Sequence, residues 1–244
     1  MLELENLSVS VDGKNVVQNI TFTLEKGKVY ALMGPNASGK SSLCNAIMGN
    51  PRYKAKGKIL FEGKDISSLP ADERARLGIF LSFQNPEEVE GVPLSEHLRK
   101  IYMKKYSPEE KKDEIKLWAE LDKKVADSAK DLSLSTKGRQ LNVGFSGGEK
   151  KKGEMLQMGL LSPKLMMLDE IDSGLDVDAL KAVAEKINAM RFPERAILLV
   201  THYARILKYV RPDHVLIMRN GKIERMDGPE LAEEIEEKGY GGAR

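Results

Sequence analysis

Two short patterns in this chain combine residue types suited to chemistry on phosphate. Gly34-Pro35-Asn36-Ala37-Ser38-Gly39-Lys40-Ser41 fits the spacing G-x-x-x-x-G-K-[ST] at every position. Cleaving a triphosphate requires many hydrogen-bond donors aimed at one small anion. Glycines let a backbone wrap such an anion closely with its N–H groups turned inward. A helix that starts at the loop adds the positive end of its dipole. Lys40 can then reach the β- and γ-phosphates, the Ser41 hydroxyl can ligate Mg²⁺, and Ser42 extends the cradle into the helix. Each hydrogen bond to a charged oxygen contributes roughly 1.5–3 kcal/mol. Taken alone, the segment is also compatible with an ordinary glycine-rich loop. The second pattern, Leu165-Met166-Met167-Leu168-Asp169-Glu170, is an apolar run ending in two carboxylates. Asp169 is suited to holding a metal through water, and Glu170 to taking a proton from an attacking water. A solvated acidic turn at the end of a strand explains the same pair by itself.

Chemistry of this kind needs both patterns at the ends of buried strands, and the surrounding sequence predicts that. Val29 to Met33 is a continuous apolar run directly before the glycine loop, as in a strand covered on both faces. A helix carrying Leu43 and Ile47 follows and is stopped by Gly49 and Pro51. Leu2, Leu4, Leu7, Val9 and Val11 alternate with polar residues, with a slip near Asn6 that predicts a bulge. Asp12-Gly13 and Asn220-Gly221 are turn signals. Further strands are predicted from Ile20 to Leu24, Lys58 to Ile66, Ile79 to Phe83, Leu165 to Leu168 and Ala196 to Val200. Helices are predicted after Gly147, over Leu180 to Ile187 and over Leu231 to Glu237. The alternation of strand and helix in the second half predicts a mostly parallel sheet. From about Leu94 to Leu134 the sequence is charged and helical in pattern, including a Lys/Glu/Asp-rich stretch from Lys104 to Lys116, and reads as an inserted lobe.

Composition narrows the function classes. The chain has 244 residues, 41% hydrophobic and 31% charged, which is enough to build a core. Its net charge of +2, with acids and bases interspersed, does not predict a nucleic-acid partner. The single cysteine, Cys44, excludes an intrachain disulfide and suits a reducing compartment. Cys44 itself reads as a small buried hydrophobe, since one thiol cannot hold a cluster. The first residues, Met-Leu-Glu-Leu-Glu, are acidic where a signal peptide would be basic. The longest apolar runs fall far short of the ~20 residues of a membrane span. The expectation is a cytoplasmic chain with no direct membrane insertion, any membrane association coming through a partner.

Phe145-Ser146-Gly147-Gly148-Glu149 resembles the signature of the ABC family, with Phe in place of Leu and Glu in place of Gln. Read alone, Ser146 to Glu149 is a capping box that starts a helix. The resemblance implies a second role, in which Ser146, Gly147, Gly148 and Glu149 act on the γ-phosphate of ATP held by the opposite subunit. Gln84 resembles the Q-loop glutamine that senses Mg²⁺ and the γ-phosphate. Ser173-Gly174-Leu175-Asp176 resembles the D-loop, and His202 the switch histidine. The resemblance implies ATP and Mg as cofactors, with Ser41, Gln84 and Asp169 toward the metal and Glu170, His202 and Lys40 in catalysis. It implies an α/β P-loop core over residues 1–93 and 140–244 with a mostly parallel sheet and an antiparallel β subdomain. An inserted helical subdomain would occupy residues 94–139, and two copies would pair head to tail in the presence of ATP. Val11 stands where the family often carries an adenine-stacking aromatic residue, and Ala37 replaces a common glycine by adding only a methyl group.

Within that family the chain is most similar to the SufC group. Asn142 to Lys151 and Phe83-Gln84-Asn85-Pro86 with Gly91-Val92-Pro93 carry the likeness. So do Thr201-His202-Tyr203 with Arg205-Ile206-Leu207, and Glu237-Lys238-Gly239-Tyr240-Gly241. In Leu168 to Asp176, Asp172 stands where transporters mostly carry Thr, and Gly174 replaces their frequent Ala. This likeness implies an ATPase subunit that drives rearrangement of a SufB- or SufB/SufD-like scaffold during iron–sulfur cluster assembly, with Glu87 to Arg99 lining the partner contact. The ATP-binding subunit of a membrane transporter is the alternative, with the same hydrolytic chemistry.

Overall fold

The computed structural model describes residues 1–106 and 114–242; residues 107–113, within the expected charged stretch Lys104 to Lys116, lie outside the described residues. The first elements are β1 (Leu2–Val11), β2 (Lys14–Leu24), β3 (Val29–Met33), α1 (Lys40–Met48), β4 (Lys54–Phe61), β5 (Lys64–Asp65), α2 (Ala71–Leu77) and β6 (Ile79–Ser82). There follow β7 (Val89–Pro93), α3 (Leu94–Tyr106), α4 (Glu114–Asp131), β8 (Gln140–Leu141), α5 (Gly147–Leu161) and β9 (Leu165–Asp169). The last are α6 (Val177–Ala189), β10 (Ala196–Val200), β11 (His214–Arg219), β12 (Lys222–Asp227) and α7 (Glu230–Gly242). Contacts divide the chain into two units, one of Met1–Leu81, Pro163–Ile171 and Arg191–Arg244, the other of Ser82–Ser162 and Asp172–Met190.

The first unit carries two sheets. One, ordered β2-β1-β4-β5, is antiparallel. Its bend is built from left-handed residues on neighbouring strands: Asn6 at φ 50° and Asn19 at φ 49°, beside Gly57 at φ 105°. The β1–β2 register shifts between Leu4 and Leu7, as the slip near Asn6 predicts. A Cβ at Gly57 would lie 2.5 Å from the Asn6 carbonyl oxygen, so the crossing demands glycine. The other sheet is ordered β12-β11-β3-β10-β9-β6, with β11, β3, β10 and β9 mutually parallel and β12 antiparallel at the edge. Every residue of β3, β9 and β10 is buried, which accounts for their unbroken apolar runs. Leu4, Leu43, Ile47, Phe61, Met167 and Leu198 belong to one continuous core. α2 is held differently. Its buried Arg74 donates to the carbonyls of Leu69 (2.8 Å), Ser67 (2.9 Å), Ala46 (2.9 Å) and Ile47 (2.9 Å), the last two at the C-terminal end of α1. A charged side chain thus satisfies carbonyls that the end of a helix leaves open.

The second unit is mainly helical. α5 packs on α3, α4 and α6, burying Leu98, Tyr102, Leu121, Met155, Leu156, Leu180 and Val183. β7 and β8 form a small antiparallel pair. The unit reaches beyond the 94–139 insert expected from the sequence, because α5 and α6 share its core. Among the described residues no helix is long and apolar enough to cross a membrane.

Candidate active site

β3 delivers the chain to Gly34, and α1 begins at Lys40. The loop between them is shaped by close backbone approach. A Cβ on Gly34 (φ 156°) would lie 2.1 Å from the Met218 carbonyl oxygen, and one on Gly39 (φ 106°) 2.5 Å from that of Val16. Only glycine fits at either place. Pro35, Asn36 and Ala37 form the exposed crest, Ser38 and Lys40 are buried, and Ser41 and Ser42 are half-buried at the start of α1. Ala37 is left-handed at φ 61°. The difference from glycine is therefore more than a methyl group, since an L-residue held there costs roughly 1–2 kcal/mol. Val11, at the end of β1, is half-buried.

Gly39 offers no side-chain cap to α1, and the first turn of α1 carries no acid. α5 and α6, by contrast, are capped by Ser146 and Asp176. The positive end of α1 is thus left uncompensated by protein side chains, the condition under which a helix start receives phosphate. Lys40 Nζ donates to the carbonyls of Gly34 (2.8 Å) and Pro35 (2.9 Å) and lies 3.4 Å from Ser38 Oγ. Burial pulls its ammonium below the usual lysine range, opposed by the carboxylates of Glu170 and Asp169. The donor set suits a triphosphate with its metal.

Those carboxylates arrive on β9, which ends at buried Asp169. The Glu170 N–H donates to the Val200 carbonyl at the end of β10 (2.9 Å), and Glu170 is left-handed at φ 47°. A non-glycine residue in this conformation costs about 1–3 kcal/mol and persists only where its surroundings hold it. Two residues beyond β10, the buried His202 Nδ1 lies 3.4 Å from Glu170 Oε1 without a hydrogen bond to it. Thr201 shapes that turn: its hydroxyl donates to the Tyr203 carbonyl (3.0 Å) and accepts the Tyr203 N–H (3.1 Å). Cys44 is fully buried in α1, and desolvation pushes its thiol well above the ordinary range, as expected of a residue that serves as a hydrophobe.

The first unit thus gathers the loop Gly34–Ser42, Asp169, Glu170 and His202. Gln84, Ser146 to Glu149 and Asp176 belong to the second unit. There the capping box is complete: Ser146 Oγ accepts the Glu149 N–H (3.2 Å) and Glu149 Oε2 accepts the Ser146 N–H (2.9 Å). That N–H is the main reason the Glu149 carboxyl sits below its usual range. A Cβ on Gly147 would meet nothing within 4 Å, so this helix start is open. Asp176 Oδ1 accepts the Ala179 N–H (2.8 Å) and caps α6.

Two residues that no spacing singled out grip the backbone at Gln84. Lys151 Nζ donates to the carbonyls of Gln84 (2.6 Å) and Phe83 (3.2 Å), and Glu154 Oε2 accepts the Phe83 N–H (3.2 Å). Burial pushes the Glu154 carboxyl up to about 7. Between about pH 4.5 and 7 it is protonated when folded and ionised when unfolded. Its stabilising contribution is complete below about pH 4.5 and is lost, by about 3 kcal/mol in total, as pH rises to about 7. Glu154→Gln keeps the acceptor for Phe83 and removes the titration. Its denaturation midpoints at pH 5 and pH 7.5 are expected to lie closer together than those of the parent. An unchanged gap would show that Glu154 is ionised throughout.

The sequence model of the ABC transporter family matches residues 17–173. The chain belongs to that family. As an ABC ATPase it is an ATP-binding, ATP-hydrolysing P-loop enzyme that works with Mg. A probable ABC transporter ATP-binding protein of Streptococcus pyogenes serotype M18 is 44% identical over 243 residues, covering 99% of this chain and 94% of the relative. A probable ATP-dependent transporter of Synechocystis sp. is 45% identical over 243 residues, covering 98% and 94%. Among solved structures, an ATP-binding subunit of an ABC transporter superposes with TM-score 0.79 at 27% identity, covering 100% of this ABC ATPase and 95% of that chain. A cassette in a dimeric post-hydrolysis state bound to ADP and Pi gives TM-score 0.79 at 18% identity over 94% of this chain and 99% of its own, a likeness of fold.

Proposed function

We propose that this ABC ATPase hydrolyses ATP on the Gly34–Ser42 cradle, with Glu170 as general base, and that it powers rearrangement of a SufB/SufD-like scaffold. The approach of His202 and Glu170 to each other beside buried Lys40 carries the catalytic part of this reading. The cradle N–H groups and Lys40 bind and orient the phosphates. Glu170 orders a water in line and takes its proton at the carboxylate. His202 orients the γ-phosphate. Ser41, Gln84 and Asp169 would hold Mg²⁺, which when bound offsets charge developing on the phosphate oxygens. Ser146, Gly147, Gly148 and Glu149 of a second copy would complete the site, with Asp176 at the crossing, in an ATP-dependent head-to-tail pair. The open approach to Gly147, where an added Cβ would meet nothing within 4 Å, supports that role.

The finer reading rests on the likeness of Leu168–Asp176 and its companion stretches to the SufC group. Phe83, just before Glu87–Arg99, and Val89 within it, 51% and 38% exposed, offer apolar side chains to a partner. The relatives named as transporters favour the second reading, a subunit docked on a membrane permease. Purification of the endogenous protein from its native cells decides between them. Recovery in the soluble fraction with a cluster-assembly scaffold is expected, and recovery with membrane permeases would overturn the proposal. A cytoplasmic location belongs to the same reading.

A further inference from the structure

We propose that Tyr240 is a positioning residue for ATP hydrolysis, holding the backbone of His202 from a place beside the first residue of the phosphate cradle. Its phenolic hydroxyl donates to the His202 carbonyl at 3.2 Å and lies beside the Gly34 N–H. The Tyr240 side chain thus lies between two segments whose side chains and amides face the triphosphate in the proposed mechanism. Gly34 is a firm anchor, since its backbone is pressed against the Met218 carbonyl. The turn carrying His202 is fixed internally by Thr201 and Tyr203, and Tyr240 supplies a link from that turn to the end of α7.

The chain is shaped to deliver this hydroxyl. Leu231, Ala232 and Ile235 bury one face of α7, and Glu234 Oε2 accepts from Arg225 Nη1 at 2.9 Å. Lys208, in the short turn of 3-10 helix after the His202 segment, pairs with Glu236 at 3.1 Å. Helical geometry then breaks at Gly239, at φ 66° and ψ 171°, and the next residue is Tyr240. A Cβ at Gly239 would meet nothing within 4 Å, so glycine serves the backbone turn there and not a tight fit. The hydroxyl's bond to the His202 carbonyl restrains how far that backbone can move from the end of α7.

The inference rests on His202 acting at the γ-phosphate, and the experiment separates the two. Steady-state ATP hydrolysis is measured with the full chain for Tyr240→Phe, His202→Ala and the double variant. Tyr240→Phe is expected to lower kcat by about 5–20-fold with KM for ATP within about twofold, as fits a lost bond that acts through geometry. In the His202→Ala background the same change is expected to alter kcat less than about twofold, because the residue through which it acts is gone. Gly239→Ala, which misdirects the end of the chain, is expected to reproduce the loss and the non-additivity. Parental kcat for Tyr240→Phe, or an equal loss in both backgrounds, would overturn the role of Tyr240 while leaving that of His202 intact. Parental turnover for His202→Ala alone would remove the reading of His202 and the coupling with it.

Discussion

Glu170→Gln is expected to bind ATP with near-parental affinity and to hydrolyse it ~10²–10⁴-fold more slowly. The substitution preserves the shape and polarity of the side chain and does not relax the left-handed backbone at φ 47°. It removes the one property the proposed reaction needs, an oxygen basic enough to take a proton. Equilibrium binding of ATP in the presence of Mg²⁺, set beside single-turnover hydrolysis, distinguishes a lost base from a lost site. Retained turnover would show that the proton goes elsewhere, with His202 as the nearest group to examine, its Nδ1 lying 3.4 Å from Glu170.

Lys40→Ala should fail at the earlier step. Its ammonium is already buried among the Gly34 and Pro35 carbonyls, and burial has drawn it below the ordinary lysine range. Much of its desolvation is therefore complete before any phosphate arrives, and phosphate oxygens give it a stronger partner than carbonyls do. Losing one or two charge-assisted bonds of roughly 1.5–3 kcal/mol each predicts a rise in Kd for ATP on the order of 10²-fold. Titration with ATP and Mg²⁺ measures this directly. An affinity within a few-fold of the parent would place the triphosphate away from Lys40.

The sequence was most legible where a local rule leaves a local trace. β3, β9 and β10 are apolar throughout because both faces are covered, and the bend at Asn6 breaks the alternation of β1. Asn220-Gly221 turns with both residues left-handed, at φ 47° and φ 77°. The cradle and the Asp169-Glu170 pair were legible for the same reason, since each lies at the end of a buried strand. α2 left no trace: its seven residues bury Arg74 and no apolar stripe, so the periodicity that marks a helix is absent. The exposed start of β4, Lys54 to Lys58, is a strand only by pairing with β1, as in Ser10 opposite Lys54. Phe83 was read as part of the strand from Ile79, yet β6 ends at Ser82 and Phe83 faces solvent. Lys151 and Glu154 act on backbone groups 67 or more residues away, and Tyr240 on one 38 residues away, where spacing carries no information. Nor does the letter Ala at position 37 disclose a left-handed backbone.

The strand order has a mechanical implication. β3, which presents the cradle, is hydrogen-bonded on one side to β11 and on the other to β10, all three running in the same direction. Force applied to a gripped triphosphate along that strand loads both ladders in shear, so many bonds must yield at once, whereas an outermost strand could be peeled away one bond at a time. The proposed phosphate loop is thus mounted on an interior strand of the sheet, and work drawn from hydrolysis should be spent on displacing whatever lies opposite, with little lost to recoil of the mount.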